Sequence, residues 1–225
     1  MPGAIAKILE ALEEFYGEQE AAWPTDPYLY LVWLHCGYPA SDERCSRGWQ
    51  ILRNVVGVKP DQILAASLAK LTKALTPGGM VPEVRAKRLK EVAARVIEEC
   101  GSDLRVGLQN APSAARKLLK KFPGIADPGA DRILLFAGVA PIAAVPSNCP
   151  HVMIRIMRGP EPKDYGFTYR EAQKELQALP ENFAARSRAF LLLKRHGQEL
   201  CKRTKPRCGQ CPIRESCAFN SRAGI

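Results

Sequence analysis

The sequence has no hydrophobic run long enough to cross a bilayer. Its longest apolar stretches, Tyr28 to Cys36 and Leu134 to Val145, fall well short of the ~20 residues a spanning helix needs, which argues against a membrane protein. Strand-like alternation of apolar and polar residues is nearly absent, so a sheet-based fold is not expected. Low-complexity tracts and repeats of fixed period are also missing, which sets aside tails and solenoids. The opening Met1-Pro2-Gly3 lacks the basic region of a secretory signal, so a cytoplasmic protein in a reducing compartment is expected. His151 and His196 suggest no catalytic triad and read as hydrogen-bonded structural residues.

What the sequence does have is helical periodicity. Ile5, Ile8, Leu9 and Leu12 mark an amphipathic first helix, and Ile63, Leu64, Leu68, Leu71 and Leu75 follow the same three-four spacing. Further helices are expected over Pro82 to Cys100, Ser113 to Lys121, Gly129 to Ala137, Pro150 to Met157, Tyr169 to Leu179 and Ala184 to Cys201, with Pro and Gly in most gaps. The class is all-α. At 225 residues the chain can bury a substantial core as one large domain or two lobes. The aromatic segment Tyr28, Tyr30, Trp33 and Tyr38 reads first as a buried helix face and second as a surface on which a base stacks.

Charge is unevenly spread. The net charge is +10, yet the first twenty-six residues hold six acids and one lysine. The cations gather in three clusters: Arg85, Lys87, Arg88 and Lys90; Arg116, Lys117, Lys120 and Lys121; and Lys194, Arg195, Lys202, Arg203, Lys205 and Arg207. A polyanion is the natural partner, with a merely solvated basic face as the plain alternative.

Four cysteines, Cys201, Cys208, Cys211 and Cys217, form a C-x6-C-x2-C-x5-C run within seventeen residues. Such a compact thiolate quartet can close a complete ligand shell, because the intervening loops turn easily and cost little closure entropy. A [4Fe–4S] cluster is the leading reading. Zinc is the rival, since Cys208 and Cys211 form a C-x2-C knuckle, although structural zinc sites usually pair two knuckles at longer separation. A disulfide pair is the third alternative, disfavoured in a reducing cytosol. The spacing is not that of a ferredoxin, which argues against a mobile electron carrier. Cys36, Cys45, Cys100 and Cys149 lack ligand spacing and read as small buried residues.

A second motif lies upstream. Leu118, Leu119 and Phe122 end one helix, Pro123-Gly124-Ile125-Ala126 turns the chain, and Asp127-Pro128 opens another helix carrying Ala130, Ile133 and Leu134. This is a helix–hairpin–helix over about residues 113–137. Asp127 has the chemistry of an N-cap and Pro128 suits the first helical position. Backbone N–H groups of Gly124, Ile125, Ala126, Gly129 and Ala130, flanked by Lys120 and Lys121, can grip a phosphate without reading sequence. An ordinary αα-corner is the alternative, and Asp127 competes for the same donors.

A Pro-Gly hairpin followed about eighty residues later by this cysteine run resembles the endonuclease III and MutY branch of the helix–hairpin–helix DNA glycosylases. The resemblance implies a two-lobed fold. Residues 26–138 would form a six-helix lobe holding the hairpin; residues 1–25 and 139–225 would form a second lobe with the iron–sulfur loop 201–217; and DNA would lie in a groove between them. Lys202, Arg203, Lys205 and Arg207 would touch the DNA backbone. The expected partner is damaged or mismatched double-stranded DNA, the expected state a monomer, with no membrane association and a nucleoid location if the source is bacterial.

The same comparison exposes departures. Bifunctional relatives place a nucleophilic lysine where this chain has Pro128, so lyase chemistry has no amine there. Most relatives carry an aspartate that stabilises the cationic sugar, where Val145-Pro146-Ser147-Asn148 puts Pro146. Ala126 replaces a hairpin glycine, where a positive φ would cost about 1 kcal/mol. Asp42 is the remaining candidate for a displaced catalytic acid. His35, Tyr38, Pro39 and Asn148 are pocket candidates, and Ser147 and Asn148 most simply cap the helix near Pro150. The expected function is recognition or repair of damaged bases without the standard catalytic pair. The alternatives are a monofunctional glycosylase acting on a labile, for example alkylated, base and, third, a redox-signalling DNA-binding protein.

Overall fold

The computed structural model describes residues 2–223, among which are thirteen α-helices, two short 3-10 turns and no strand. The all-α expectation holds. No described helix is long and apolar enough to cross a membrane. The chain divides into two units: Ala21–Val139, and the residues up to Glu20 together with those from Ala140 onward.

In the discontinuous unit, α1 (Pro2–Tyr16) presents Ile5, Ile8, Leu9 and Leu12 along one stripe, as their spacing predicts, and all four are buried. They pack into one core with residues from Val145 to Leu193. Burial of a full Leu or Ile side chain is worth roughly 1.5–3 kcal/mol, so Leu12→Ala removes about 2–5 kcal/mol once the cavity is included.

The Ala21–Val139 unit contains α2 (Pro27–His35), α3 (Asp42–Val55), α4 (Pro60–Ala65), α5 (Leu68–Leu75), α6 (Pro82–Cys100), α7 (Leu104–Gly107), α8 (Pro112–Leu119) and α9 (Asp127–Phe136). Six of these run eight residues or more; α4 and α7 are the short additions. Asp26 starts α2 by accepting the Leu29 N–H at 2.9 Å, with Pro27 behind it, and the helix is buried almost throughout. Tyr30 and Trp33 sit in the core, so the aromatic segment serves packing first. Arg85 of α6 is buried, has no carboxylate partner among the described residues, and donates instead to the carbonyls of Cys36, Leu75, Gly79 and Met80. Those bonds hold the 75–80 turn against the end of α2. Gly78 is required there, since a Cβ would stand 1.6 Å from the Cys36 oxygen.

The discontinuous unit is completed by α10 (His151–Arg158), α11 (Tyr165–Leu176), α12 (Phe183–Glu199) and α13 (Ala218–Ala223). Asp164 caps α11 and Asn182 caps α12 through the N–H groups of Phe167 and Ala185. The Asp164 cap moves α11 four residues upstream of its expected start at Tyr169. The N-cap of α10 is Pro150, which has no side-chain cap bond.

Candidate functional site

The four spaced cysteines come together. Cys201 follows α12, Cys208 opens a 3-10 turn ending at Gln210, and Cys217 immediately precedes α13. All four line one pocket with Ile156, Leu200, Pro206 and Phe219. Four thiols on one small pocket are a donor set that fits an iron–sulfur cluster. Burial pushes the Cys201 thiol up to about 11 and raises Cys211 as well. Thiolate is the ligating form, so cluster uptake here displaces protons held by buried sulfur. An iron–sulfur cluster, when bound, supplies iron–thiolate bonds that tie the loop into one shape. The four scattered cysteines, Cys36, Cys45, Cys100 and Cys149, are all buried, as expected of packing residues.

Two side chains that sequence reading gave no such role fasten this loop. Arg155 of α10 is buried, forms a two-pronged pair with Glu161 at 2.7 Å, and donates to the carbonyls of Lys202 and Arg203 at 2.9 and 3.0 Å. Its guanidinium also stacks on Phe219, 4.7 Å from the ring centre. His151 holds the Cys201 carbonyl at 2.9 Å. Beyond these anchors Lys202, Arg203, Lys205 and Arg207 are exposed. Lys205 has φ of +54°, a left-handed conformation costing about 1 kcal/mol in a side-chain-bearing residue, which the anchored loop sustains.

His196 touches the cysteine loop twice. Its carbonyl accepts the Cys201 N–H at 2.8 Å, and its Nε2 lies 3.8 Å from the Cys211 sulfur. Nδ1 meets the Tyr16 hydroxyl at 3.0 Å. Burial pushes the ring's pKa down to about 4, so it is neutral near pH 7.

The hairpin differs from expectation at its helix start. Ala126 is the N-cap of α9 and Asp127 the first helical residue, because the Asp127 carboxylate turns away to Lys120 at 2.7 Å and Arg116 at 3.8 Å. The Lys120 hydrogen bond, helped by the Arg116 charge, holds that carboxyl below its usual range. Ala126 has φ of −103°, so the expected strain is absent; Gly124, at φ +73°, takes the left-handed position. Ile125 and Ala130 are buried, and their N–H groups bond to Phe122 and Ala126 carbonyls. The N–H groups of Gly124, Ala126 and Gly129 have no acceptor among the described residues. Lys121 pairs with Glu99 at 2.6 Å, and Arg116 pairs with buried Asp131 at 2.7 Å. Arg88 of α6 stands beside Gly124, 3.4 Å from where a Cβ would lie.

The pocket candidates have the following surroundings. His35 is buried, with Nδ1 on the Leu31 carbonyl at 2.8 Å and Nε2 on the Pro123 carbonyl at 2.9 Å, so it buttresses the hairpin. Asp42 occupies the first turn of α3 behind the Ser41 cap, where its charge complements the helix dipole. Tyr38 is half-buried, Pro39 exposed, Asn148 exposed, Pro128 half-buried and Pro146 buried. The aromatic segment encloses a group the sequence did not flag: Arg132 stacks 3.9 Å above Trp23, with Tyr30, Trp33 and Tyr38 around it.

A helical chain with a hairpin between α8 and α9 and a four-thiol pocket beyond α12 falls in the class of helix–hairpin–helix folds with an iron–sulfur centre. The iron–sulfur binding domain of endonuclease III matches residues 201–217. Endonuclease III of Thermotoga maritima is 24% identical over 204 residues, covering 89% of this chain and 86% of that protein. A trapped endonuclease III–DNA covalent intermediate superposes with a TM-score of 0.79 at 15% identity, covering 100% of this chain and 99% of that one. A thermostable thymine-DNA glycosylase gives 0.77 at 18% identity, covering 98% of each chain. This chain thus has the endonuclease III-like DNA glycosylase fold, and its residues 201–217 match the iron–sulfur binding domain of endonuclease III.

Proposed function

We propose that this protein binds duplex DNA and recognises damaged or mismatched bases, in the setting of base excision repair, with a [4Fe–4S] cluster shaping one DNA-contacting loop. The observation that carries the reading is the anchored cationic loop: buried Arg155 pins the Lys202 and Arg203 carbonyls, while four cations of that loop face solvent. Three hairpin N–H groups with no acceptor among the described residues add a phosphate grip. The resemblance supports the reading, since related structures were obtained with DNA bound. Pro128 and Pro146, at the positions where the resemblance places the lyase lysine and the catalytic aspartate, supply neither amine nor carboxylate, so recognition without cutting is the primary activity.

The test is a single-turnover excision assay run beside a binding assay, on duplexes bearing alkylated, oxidised, deaminated and mismatched bases. Selective binding with no base release is the expected result. Base release above background overturns the binding-only reading and favours a monofunctional glycosylase, with Asp42→Asn then testing the acid. Equal affinity for damaged and intact duplex overturns the lesion-recognition reading.

A further inference from the structure

We propose that His196 donates a hydrogen bond from Nε2 to the Cys211 sulfur, with Tyr16 holding the ring in that orientation, and that this contact raises the reduction potential of the iron–sulfur cluster. The inference rests on the cluster alone and is independent of the DNA-recognition reading.

The geometry leaves one direction for the bond. A cysteine sulfur bound to iron carries no proton, so it can only accept, and the atom 3.8 Å away on His196 is a ring nitrogen. That nitrogen is therefore the N–H. The other nitrogen, Nδ1, faces the Tyr16 hydroxyl at 3.0 Å, a contact that holds the ring in this orientation. Tyr16 is the last residue of α1, and its ring meets the imidazole edge-on at 6.0 Å between centroids. His196 is 1% exposed, so water does not replace either partner. The arrangement is a second layer around a metal ligand, in which an outer hydrogen bond fixes the tautomer of an inner one.

The electronic consequence follows from charge. Reduction adds one electron, much of whose charge falls on the sulfurs, and an N–H dipole aimed at a sulfur stabilises the more negative state. In the electrochemical step one electron passes from the electrode to the cluster; no proton moves, and the iron–Cys211 bond stays intact.

The experiment is voltammetry of the purified, DNA-free holoprotein, with iron content measured on the same samples. His196→Phe keeps a ring but removes the donor, and should lower the equilibrium constant for reduction about tenfold, which is about 59 mV for a one-electron couple. Tyr16→Phe should move the potential in the same direction by less. His196→Gln, which retains an N–H donor, should stay near wild type. An unchanged potential in fully loaded His196→Phe overturns the proposal. If His196→Phe does not take up iron, Tyr16→Phe decides, and an unchanged potential there overturns it equally. Variants that lose iron while their loaded fraction keeps the wild-type potential assign His196 a packing role only, which also overturns it.

Discussion

At the hairpin, Lys120 lies 2.7 Å from Asp127, Arg116 2.7 Å from Asp131 and Lys121 2.6 Å from Glu99. On the cysteine loop, Lys202, Arg203, Lys205 and Arg207 are exposed, and no carboxylate lies within ion-pair distance of them among the described residues. Both regions look equally basic when residues are counted along the chain. They differ in how much of that charge is available to a partner. Three of the hairpin's cations are paired with carboxylates, one of them on α6, so it offers mainly backbone N–H groups. The loop instead fixes its backbone with one buried arginine and leaves its side chains uncommitted.

The comparison breaks most completely if the loop loses its centre. Cys208→Ser should abolish iron binding and open residues 201–217 to protease, while the Ala21–Val139 unit keeps its helical signal; iron assay and limited proteolysis read both. Next in size, Arg155→Ala strands Glu161 without its guanidinium and should destabilise the fold by about 3 kcal/mol in urea unfolding, since one member of a buried pair has gone. An intact loop with a loss below about 1 kcal/mol would show that Arg155 is not the anchor.

Charge removal then separates the two regions. Arg203→Ala or Lys205→Ala should weaken binding uniformly across DNA sequences and reduce the slope of log affinity against log salt by about 0.9 each. Lys120→Ala should change that slope less, because its charge is already shared with Asp127. Equal slopes for the two regions would erase the distinction. The smallest effect is expected at Asp127→Asn, which releases Lys120 and should raise DNA affinity about threefold in fluorescence anisotropy, the scale of an exposed pair. The pH sign follows from the depressed Asp127 pKa: the pair's stabilising contribution is full above the unfolded value near 4 and fades as pH falls through the lower folded value. The Asn variant should flatten that acid limb of the stability curve.

Features set by local chemistry were legible in the sequence. The helix Pro82–Cys100 was bounded in advance at both ends, because proline fits a first turn and Gly101 takes the left-handed φ of +58° that stops it. The cysteine quartet was legible because closing a short loop depends on spacing. The Asp127 cap was not, because two cations from the preceding helix claimed its carboxylate, a contact no capping rule contains. Arg155 and His196 were invisible as loop and cluster residues for a related reason. Arg155 reaches carbonyls 47 and 48 residues away, and His196 meets Tyr16 across 180 residues. Arg132 among the aromatics likewise depends on packing that brings Trp23 over α9.

The place of α1 bears on how the molecule is made. Ile5, Leu9 and Leu12 share a core with Leu192 and Leu193, and Glu13 pairs with Arg188 at 2.8 Å. The apolar stripe of α1 must therefore stay unshielded until α12 has been translated, whereas Ala21–Val139 is one uninterrupted compact unit. Synthesis should yield an early nucleus over Ala21–Val139 and a late packing of α1 against α12. Termination between Val139 and α12 should leave a folded Ala21–Val139 unit preceded by an uncovered α1 stripe, which is the fragment most prone to aggregate.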